Sequence, residues 1–531
     1  MTASDSQQQQ ARHESGRIAR AVAVLSSATL LSRVLGLLRD IVVAALFGVG
    51  GSVDAFFVAF RLPNTLRRLF AEGSLTVAFV PVFVEVSERE GEQRAHQLAR
   101  RGFTLLGAVL AVVVLAGMLG APWIVRLTAW GFTKDPAKFA LTVQLTRALF
   151  PFLGLIGLTA LAGGILNAWG IFSYPALAPV LLNACMIATA LTLSGWLEPP
   201  IASLAVGVLL GGVLQLVLQG VPLGQRGFRF RPEWQWRDPA LLKVARLMGP
   251  TVFGVAVYQV NILVSTLLAS WLPDGSISYL YYAERLFQLP LGVFAVAVGT
   301  ASLPSLSRLA ARGDAAVFRD TLGQTLRMSA FIVVPAAAGL LVLARPILVV
   351  LLQRGAFDAA AVEATARALT WYALALIPVA GVRVLAPAFY ALQDTRTPVM
   401  GAFWSLWVNL AASLVLMVPL QHAGLALATG VSSAFNLGYL LWKLQAATGH
   451  ARFTARELSL GRVLLATGAM LVPVLWGTAQ GSWGGGSAGD AGLLAVLVLG
   501  GGVLYLGSAR ILGLDEARLL TTALRRRLRR G

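Results

Sequence analysis

Ionisable side chains occur inside several of the most apolar segments of this sequence. A charge is costly in the interior of a bilayer, and it is usually kept there because it faces a polar cavity and has a function. The candidate site residues chosen on this ground are Arg33, Arg39 and Asp40, then Asp54, Arg61, Arg67, Arg68 and Glu72, then Glu284 and Arg285, and finally Arg383.

The spacing of these residues follows helical periodicity. Asp54, Arg61 and Arg68 recur at intervals of seven residues, which predicts one stripe along a helix that Pro63 is placed to kink. Arg33 and Asp40 share a helical face for the same reason, whereas Arg39 points about 120° away. Two alternative interpretations stay open for these charges. Some of them could form structural ion pairs, and others could extend to the membrane surface, as long charged side chains do in many membrane proteins.

Arginines outnumber carboxylates among the candidates. Asp40 and Glu72 are the best placed for structural ion pairs, and the latter lies one turn after Arg68. Seven arginines against four carboxylates leave three cations in excess. The planar guanidinium donates bidentate hydrogen bonds to phosphate, so the pattern predicts a site for an anionic guest such as a diphosphate.

The composition is that of a membrane protein. Of 531 residues, 57% are hydrophobic and 13% are charged, whereas a soluble domain carries about 25% charged residues. The net charge of +19 raises nucleic-acid binding as an alternative, but the basic residues lie between apolar blocks, as in the loops of membrane proteins. Cys185 is the single cysteine and the four histidines are scattered, so we predict no metal site and no cofactor.

The apolar blocks predict an all-α polytopic membrane protein with about fourteen transmembrane helices. Basic and neutral loops alternate along the chain, which places both termini in the cytoplasm. The predicted spans lie near 22–48, 53–86, 103–128, 139–168, 174–194, 200–222, 240–271, 276–306, 326–352, 363–392, 398–419, 423–446, 459–479 and 490–512.

A weak internal repeat divides the predicted spans. Residues 128–132 and 353–357 have related sequences, and in each case an apolar helix and a similar polar turn follow, at an offset of about 220 residues. The repeat predicts two six-helix lobes around a central cavity plus two C-terminal helices. The predicted segments are a disordered tail 1–20, an N-lobe 21–222, a basic linker 223–239, a C-lobe 240–446, two further helices within 447–513, and a basic tail 514–531.

The linker between the predicted lobes mixes arginines with aromatic residues. Such a mixture also occurs in proteins that bind single-stranded nucleic acid. Between two transmembrane spans, a segment at the membrane surface is the favoured interpretation. The residues concerned lie between Arg226 and Asp238 and include Phe228, Phe230, Trp234 and Trp236.

Several motifs resemble the MurJ (MviN) family of lipid II flippases. They are Ser32-Arg-Val-Leu-Gly-x-x-Arg-Asp, Asp54-Ala-Phe-Phe-Val-Ala-Phe-Arg-Leu-Pro-Asn, Arg67-Arg-x-Phe-Ala-Glu-Gly, Phe79-Val-Pro, Met248-Gly-Pro, Tyr281-Tyr-Ala-x-Arg-Leu, Leu303-Pro-Ser-Leu-Ser and Ala386-Pro-x-Phe-Tyr. The resemblance runs from about residue 20 to the last spans. It implies the fold of multidrug/oligosaccharidyl-lipid/polysaccharide exporters, with a groove for the lipid tail along the last two predicted spans, 459–479 and 490–512.

The resemblance also implies roles for individual residues. The arginines that are essential in the family match Arg33, Arg39, Arg67 and Arg285. Its aspartate at the start of the second span matches Asp54, and its cation in the tenth span matches Arg383. Some relatives carry a carboxylate where this chain has Gln288, and the family's sodium-site residues are not clearly matched. An ion coupling that used that carboxylate is therefore in question.

The resulting prediction is a lipid II flippase of the bacterial inner membrane that works by alternating access and is a transporter, not an enzyme. The substrate would be the undecaprenyl-diphosphate-linked disaccharide-pentapeptide, and the membrane potential or a monovalent cation would supply energy. The chain would act as a monomer among membrane phospholipids, beside cell-wall synthases or division proteins. Alternatives are an exporter of drugs or of another lipid-linked oligosaccharide, a membrane glycosyltransferase, and a scaffold.

Overall fold

A computed structural model describes residues 3–69, 75–292, 296–448, 453–455, 457–484 and 487–518 of the protein. Within these ranges the regular secondary structure is helical and contains no β-strand, which confirms the all-α prediction. The first helices are α1 (Ala3–Phe47), α2 (Gly51–Leu69), α3 (Thr76–Glu90), α4 (Glu92–Leu119), α5 (Ala121–Thr128), α6 (Pro136–Ala168), α7 (Ser173–Leu193) and α8 (Ala202–Gln225). They continue with α9 (Pro239–Ala269), α10 (Ser276–Pro290), α11 (Val296–Ala311), α12 (Ala315–Val342), α13 (Ala344–Leu352), α14 (Ala359–Ala391), α15 (Arg396–Leu420), α16 (His422–Thr448), α17 (Leu460–Gln480) and α18 (Ala488–Ile511).

Ten helices of the described ranges are long and apolar enough to cross a membrane. They are α4, α6, α7, α8, α12 and α14 to α18. The other four predicted spans fall on α1, on α2 with α3, on α9, and on α10 with α11. Three of these carry the candidate charges, which interrupt their apolar stretches, and the described apolar part of α9 is short.

The beginning of the chain differs from the prediction. Residues 3–20, expected to be a disordered tail, continue α1 as helix. Glutamine, alanine and arginine all have favourable helix propensities, and a helix that is already nucleated extends at little cost. Polarity alone therefore did not distinguish an unfolded tail from an extended helix.

Two compact units divide the chain, Met1–Leu267 and Leu268–Gly531. The division falls inside α9, downstream of the linker at which the sequence placed the lobe boundary. The first turns of α9 belong to the first unit because Leu241 and Val244 pack in one core with α3 and α4. The other predicted segment limits remain predictions.

In the first unit, α6 is the central helix. It packs against α2, α4 and α8 and is buried along most of its length, in keeping with a sequence that is apolar on every face. The neighbouring α7 and α8 approach each other closely at Gly207, where a Cβ atom would lie 2.8 Å from the Cα atom of Met186. Small residues at such contacts let helix backbones approach within the membrane.

In the second unit, α14 holds the central position and packs against α10, α11, α12 and α16. The last two helices pack against each other, and they join this unit through α12 and α13. The hydroxyl of Tyr505 on α18 donates to the carbonyl of Phe331 on α12 at 2.6 Å. The outer faces of α17 and α18 expose apolar side chains, among them Val472 and Val503, which suits contact with lipid.

Candidate functional site

The first candidate charges form a buried ion pair on α1. The Nη2 atom of Arg39 lies 2.6 Å from Oδ1 of Asp40, and both residues are buried. Nη1 of Arg39 donates to Oδ1 of Asn183 on α7 at 3.0 Å, and Nδ2 of Asn183 donates to the carbonyl of Ser32 at 3.3 Å. Arg39 therefore links α1 to α7, and Asn183 is a partner that the sequence analysis missed.

Arg33 has a different environment on the same helix. Its side chain is exposed, and it forms no hydrogen bond or ion pair with the described residues. The predicted common face of Arg33 and Asp40 does not give them a common environment, because Asp40 is buried beside Arg39. Arg33 is thus available to a ligand, whereas Arg39 is held in the fold.

Asp54 at the start of α2 is paired with a lysine that the sequence analysis missed. The Nζ atom of Lys138 donates to Oδ2 of Asp54 at 3.3 Å and lies 3.9 Å from the ring centroid of Phe132. Both partners are buried, with 1% of Asp54 and 7% of Lys138 exposed. The carboxylate of Asp135 fixes the first turn of α6 by accepting from the N–H groups of Ala137 and Lys138.

Lys138 gave little signal in the sequence. One lysine at the start of an apolar helix is typical of a side chain that reaches the membrane surface. The adjacent Trp-Gly-Phe segment, residues 130–132, was noted only as part of the repeat. The pairing needs α2 and α6 to pack together, which the spacing of residues within either helix does not reveal.

The remaining charges of α2 bond to different partners. Arg61 donates through Nη1 to the hydroxyl of Thr266 on α9, and Nε of Arg67 donates to Oδ1 of Asn64 at 3.0 Å. Asp54 and Arg61, predicted on one stripe, thus bond to α6 and α9 respectively. The Arg68 side chain and Glu72 lie outside the described part of the structure, so their predicted pairing stays a prediction.

Two candidate arginines lie in the second unit, and both are exposed. The guanidinium of Arg285 on α10 is 5.5 Å from the ring centroid of Tyr281. The adjacent Glu284 accepts a hydrogen bond from Nε2 of Gln288 at 2.8 Å and forms no ion pair with the described residues. Arg383 lies on α14 with its side chain exposed.

The positive excess in the first unit persists, although its composition differs from the prediction. Asp40 is balanced by Arg39, and Asp54 is balanced by Lys138, which had not been counted. Arg33 and Arg61 consequently have no carboxylate partner among the described residues. A site that contains these arginines favours an anion.

A second polar network fixes the linker between α8 and α9 to α4. The carboxylate of Asp238 is inaccessible to solvent, accepts from Arg94 at 2.9 Å and from Arg101 at 2.6 Å, and caps α9 by accepting from the Ala240 N–H. Burial by itself raises the pKa of Asp238. The hydrogen bonds from Arg101, Ala240 and Arg94 together outweigh this effect and hold that pKa below its usual value.

We expect Asp238→Ala to destabilise the first unit by about 3 to 5 kcal/mol, because it leaves Arg94 and Arg101 partly buried without this carboxylate. The measurement is the thermal inactivation half-life in detergent, with Glu85→Ala as the control. The latter breaks an exposed ion pair with Lys243 and should change the half-life little. Equal half-lives for the two variants would contradict this role of Asp238.

The pKa of Asp238 also predicts the pH dependence of this stabilisation. A carboxyl group with a depressed folded-state pKa contributes stability above its unfolded pKa of about 4. The contribution is lost as the pH falls through the lower folded-state pKa. The difference in half-life between wild type and Asp238→Ala should therefore be constant at neutral pH and shrink only in acid below that value.

Comparison with known proteins places this chain beside one group of transporters. A family model described as lipid II flippase MurJ matches residues 43–488. A probable lipid II flippase MurJ of Vibrio cholerae is 40% identical over 470 residues, which cover 87% of this chain and 89% of the relative. The lipid II flippase MurJ of Burkholderia cenocepacia is 36% identical over 515 residues, which cover 94% and 98% of the two chains.

Solved structures give the same grouping. A structure of lipid II flippase MurJ in an inward closed conformation has a TM-score of 0.78 at 26% identity, and the match covers 93% of this chain and 99% of that one. A multidrug resistance MATE family transporter of the MOP superfamily, in an inward-facing conformation, has a TM-score of 0.66 at 13% identity. That match covers 81% of this chain and 98% of the transporter, and it concerns the fold alone.

Proposed function

Because this chain belongs to the lipid II flippase family MurJ, we propose that it moves lipid II across the bacterial inner membrane for peptidoglycan synthesis. The observation that carries the proposal is the 40% identity to a probable lipid II flippase over most of both chains. The chain is a transporter and not an enzyme. The alternative, export of drugs, is supported only by a similarity of fold at 13% identity. Lipid II is therefore the favoured substrate.

We further propose that the arginines contact the diphosphate of lipid II. Arg33, Arg285 and Arg383 are exposed, and the guanidinium fork matches the geometry of phosphate oxygens. In the first unit Arg61, Arg67 and Arg68 would add to the positive potential on α2. Arg39 would act through the fold, by setting the position of α1 against α7.

The proposed transport cycle is alternating access, in which the arginines become accessible to one leaflet at a time. The polyprenyl chain would remain in lipid along α17 and α18, whose outer faces are apolar. The diphosphate must move with its charge balanced, because an isolated ion in hydrocarbon is prohibitively costly. The membrane potential acts on net charge at about 2.3 kcal/mol per charge per 100 mV. It would return the empty, positively charged site to its starting orientation.

Orientation, partners and coupling complete the proposal. The alternation of basic and neutral loops supports a cytoplasmic location for both termini. The chain would work as a monomer surrounded by phospholipids. Its protein partners would be cell-wall synthases or division proteins. Within the described residues no group of three or more His, Cys, Asp and Glu side chains lies together as in a metal site. A monovalent cation remains an alternative source of coupling energy.

The test is depletion of the chain in cells followed by rescue, with a readout of the leaflet that holds lipid II. Depletion should trap lipid II in the inner leaflet, and the wild-type chain should restore it to the outer leaflet. Arg285→Ala is expected to fail, because it removes an exposed guanidinium that the proposal assigns to the diphosphate. Immunoblots of membranes should show equal amounts of both proteins.

The matched control is Gln288→Ala, which removes an exposed, uncharged side chain one turn away on α10. It should restore outward access of lipid II. Full activity of Arg285→Ala would remove that arginine from the proposed site. If lipid II still reaches the outer leaflet after depletion while another lipid-linked glycan accumulates, the substrate assignment is wrong and the membership of the fold class stands.

A further inference from the structure

The linker between α8 and α9, residues 226–238, presents two chemically different faces. Its inner face is fixed to α4. Glu233 accepts from Arg100 at 3.3 Å and also pairs with Arg101, while Asp238 is held by Arg94 and Arg101. Phe228 is buried in the core of the first unit. Both carboxylates of the linker are therefore engaged by arginines of α4.

The outer face is rich in cations and aromatic rings; Pro232 and Gln235 are also exposed, whereas neither carboxylate of the linker is. It is formed by the exposed side chains of Arg226, Arg229, Arg231, Arg237, Phe230, Trp234 and Trp236. None of these four arginines forms an ion pair with a described residue. The exposed fraction of Trp234 is 68% and that of Trp236 is 57%, and the guanidinium of Arg237 lies 4.6 Å from the ring centroid of Trp236.

The position of the linker between α8 and α9 indicates that it lies near the lipid headgroups. The chain leaves α8, which is long and apolar enough to cross a membrane, at Gln225, and α9, which carries the next predicted span, begins at Pro239. We therefore infer that the linker lies near the membrane surface. Tryptophan is enriched at that level because its ring is apolar and its N–H is polar. Arginines near a membrane surface are attracted to anionic headgroups and donate paired hydrogen bonds to phosphate.

We propose that this outer face is a binding surface for anionic phospholipid headgroups. The arginines contact the lipid phosphates, and the aromatic rings insert at the level of the headgroups. The inner-face contacts with α4 keep the surface formed before any lipid binds. The linker contacts that form the surface are made with α4 and include none of the candidate arginines, so we assign the surface to bulk lipid and not to the transported molecule.

The experiment measures lipid binding to the purified full chain by native mass spectrometry. The probes are phosphatidylglycerol, which is anionic, and phosphatidylcholine, which is zwitterionic. Wild type should bind phosphatidylglycerol more tightly, and rising salt should reduce this preference. Arg229→Gln with Arg231→Gln should weaken phosphatidylglycerol binding by at least about tenfold, since each arginine near an anionic surface is worth about fivefold in affinity.

The matched control is Arg308→Gln with Arg312→Gln at the end of α11. These arginines are also exposed and without ion pairs among the described residues, so the loss of charge is equal, but they have no neighbouring tryptophans. The control should keep the wild-type affinity. A second variant, Trp234→Ala with Trp236→Ala, should lower the affinity without any change in charge.

Three results would overturn the proposal. The first is equal binding of the two phospholipids by the wild type. The second is an equal loss of affinity in the linker variant and the control, which would indicate nonspecific attraction. The third is an equal loss of lipid II binding in the linker variant, which would assign the surface to the transported molecule. The Arg229 and Arg231 side chains make no bonds within the described fold, so their loss should leave thermal stability unchanged.

Discussion

Arg33→Ala is expected to abolish lipid II flipping while the amount of protein in the membrane stays at the wild-type level. The side chain is exposed on α1 and bonds to no described residue, so the fold does not depend on it. Loss of a charge-assisted bond to a desolvated anion costs about 2 to 5 kcal/mol, which slows transport at least about thirtyfold. The measurement is lipid II in the outer leaflet together with the quantity of membrane-inserted protein.

Arg39→Ala provides the internal contrast, because Arg39 is buried and bonded to Asp40 and Asn183. Its removal takes away the cation beside a buried carboxylate, so less folded protein should accumulate. The double variant Arg39→Ala with Asp40→Ala should recover part of that amount. If Arg33→Ala retains full activity, or if it accumulates as poorly as Arg39→Ala, the division into a binding arginine and a positioning arginine is wrong.

Lys138→Met is expected to prevent stable folding of the first unit. The substitution keeps an unbranched side chain, shorter by one heavy atom, but removes the ammonium group that pairs with Asp54, and both residues are buried. Breaking a buried ion pair on one side costs about 3 to 5 kcal/mol. Size-exclusion profiles in detergent should show aggregation, and the amount of protein in membranes should fall.

The double variant Asp54→Asn with Lys138→Met should fold, because it removes the buried charge together with its partner. Its activity then separates two roles of Asp54. The family resemblance assigns this aspartate a function, so we expect the folded double variant to transport poorly. Normal transport would show that the pair is structural only, and a stable Lys138→Met single variant would contradict the importance of the pair itself.

The sequence by itself was sufficient to predict the class of the fold. Apolar segments of the length of a bilayer, separated by loops of alternating charge, identify an all-helical membrane protein because hydrocarbon forces backbone hydrogen bonds to form within each segment. The candidate arginines were identified because a charge inside an apolar segment is energetically costly and is usually kept for a function. Arg33, Arg285 and Arg383 have the exposure that a binding residue requires, although their roles remain predictions.

The tertiary structure decided which charges are paired. Lys138 lies 84 residues from Asp54, and Asn183 lies 144 residues from Arg39, so each pair forms only where α2 meets α6 or α1 meets α7. The linker is a similar case, since its carboxylates turn inward only because α4 presents Arg94 and Arg101 to them. Periodicity within one helix specifies the face on which a side chain lies, whereas its partner depends on the packing of helices that are distant in sequence.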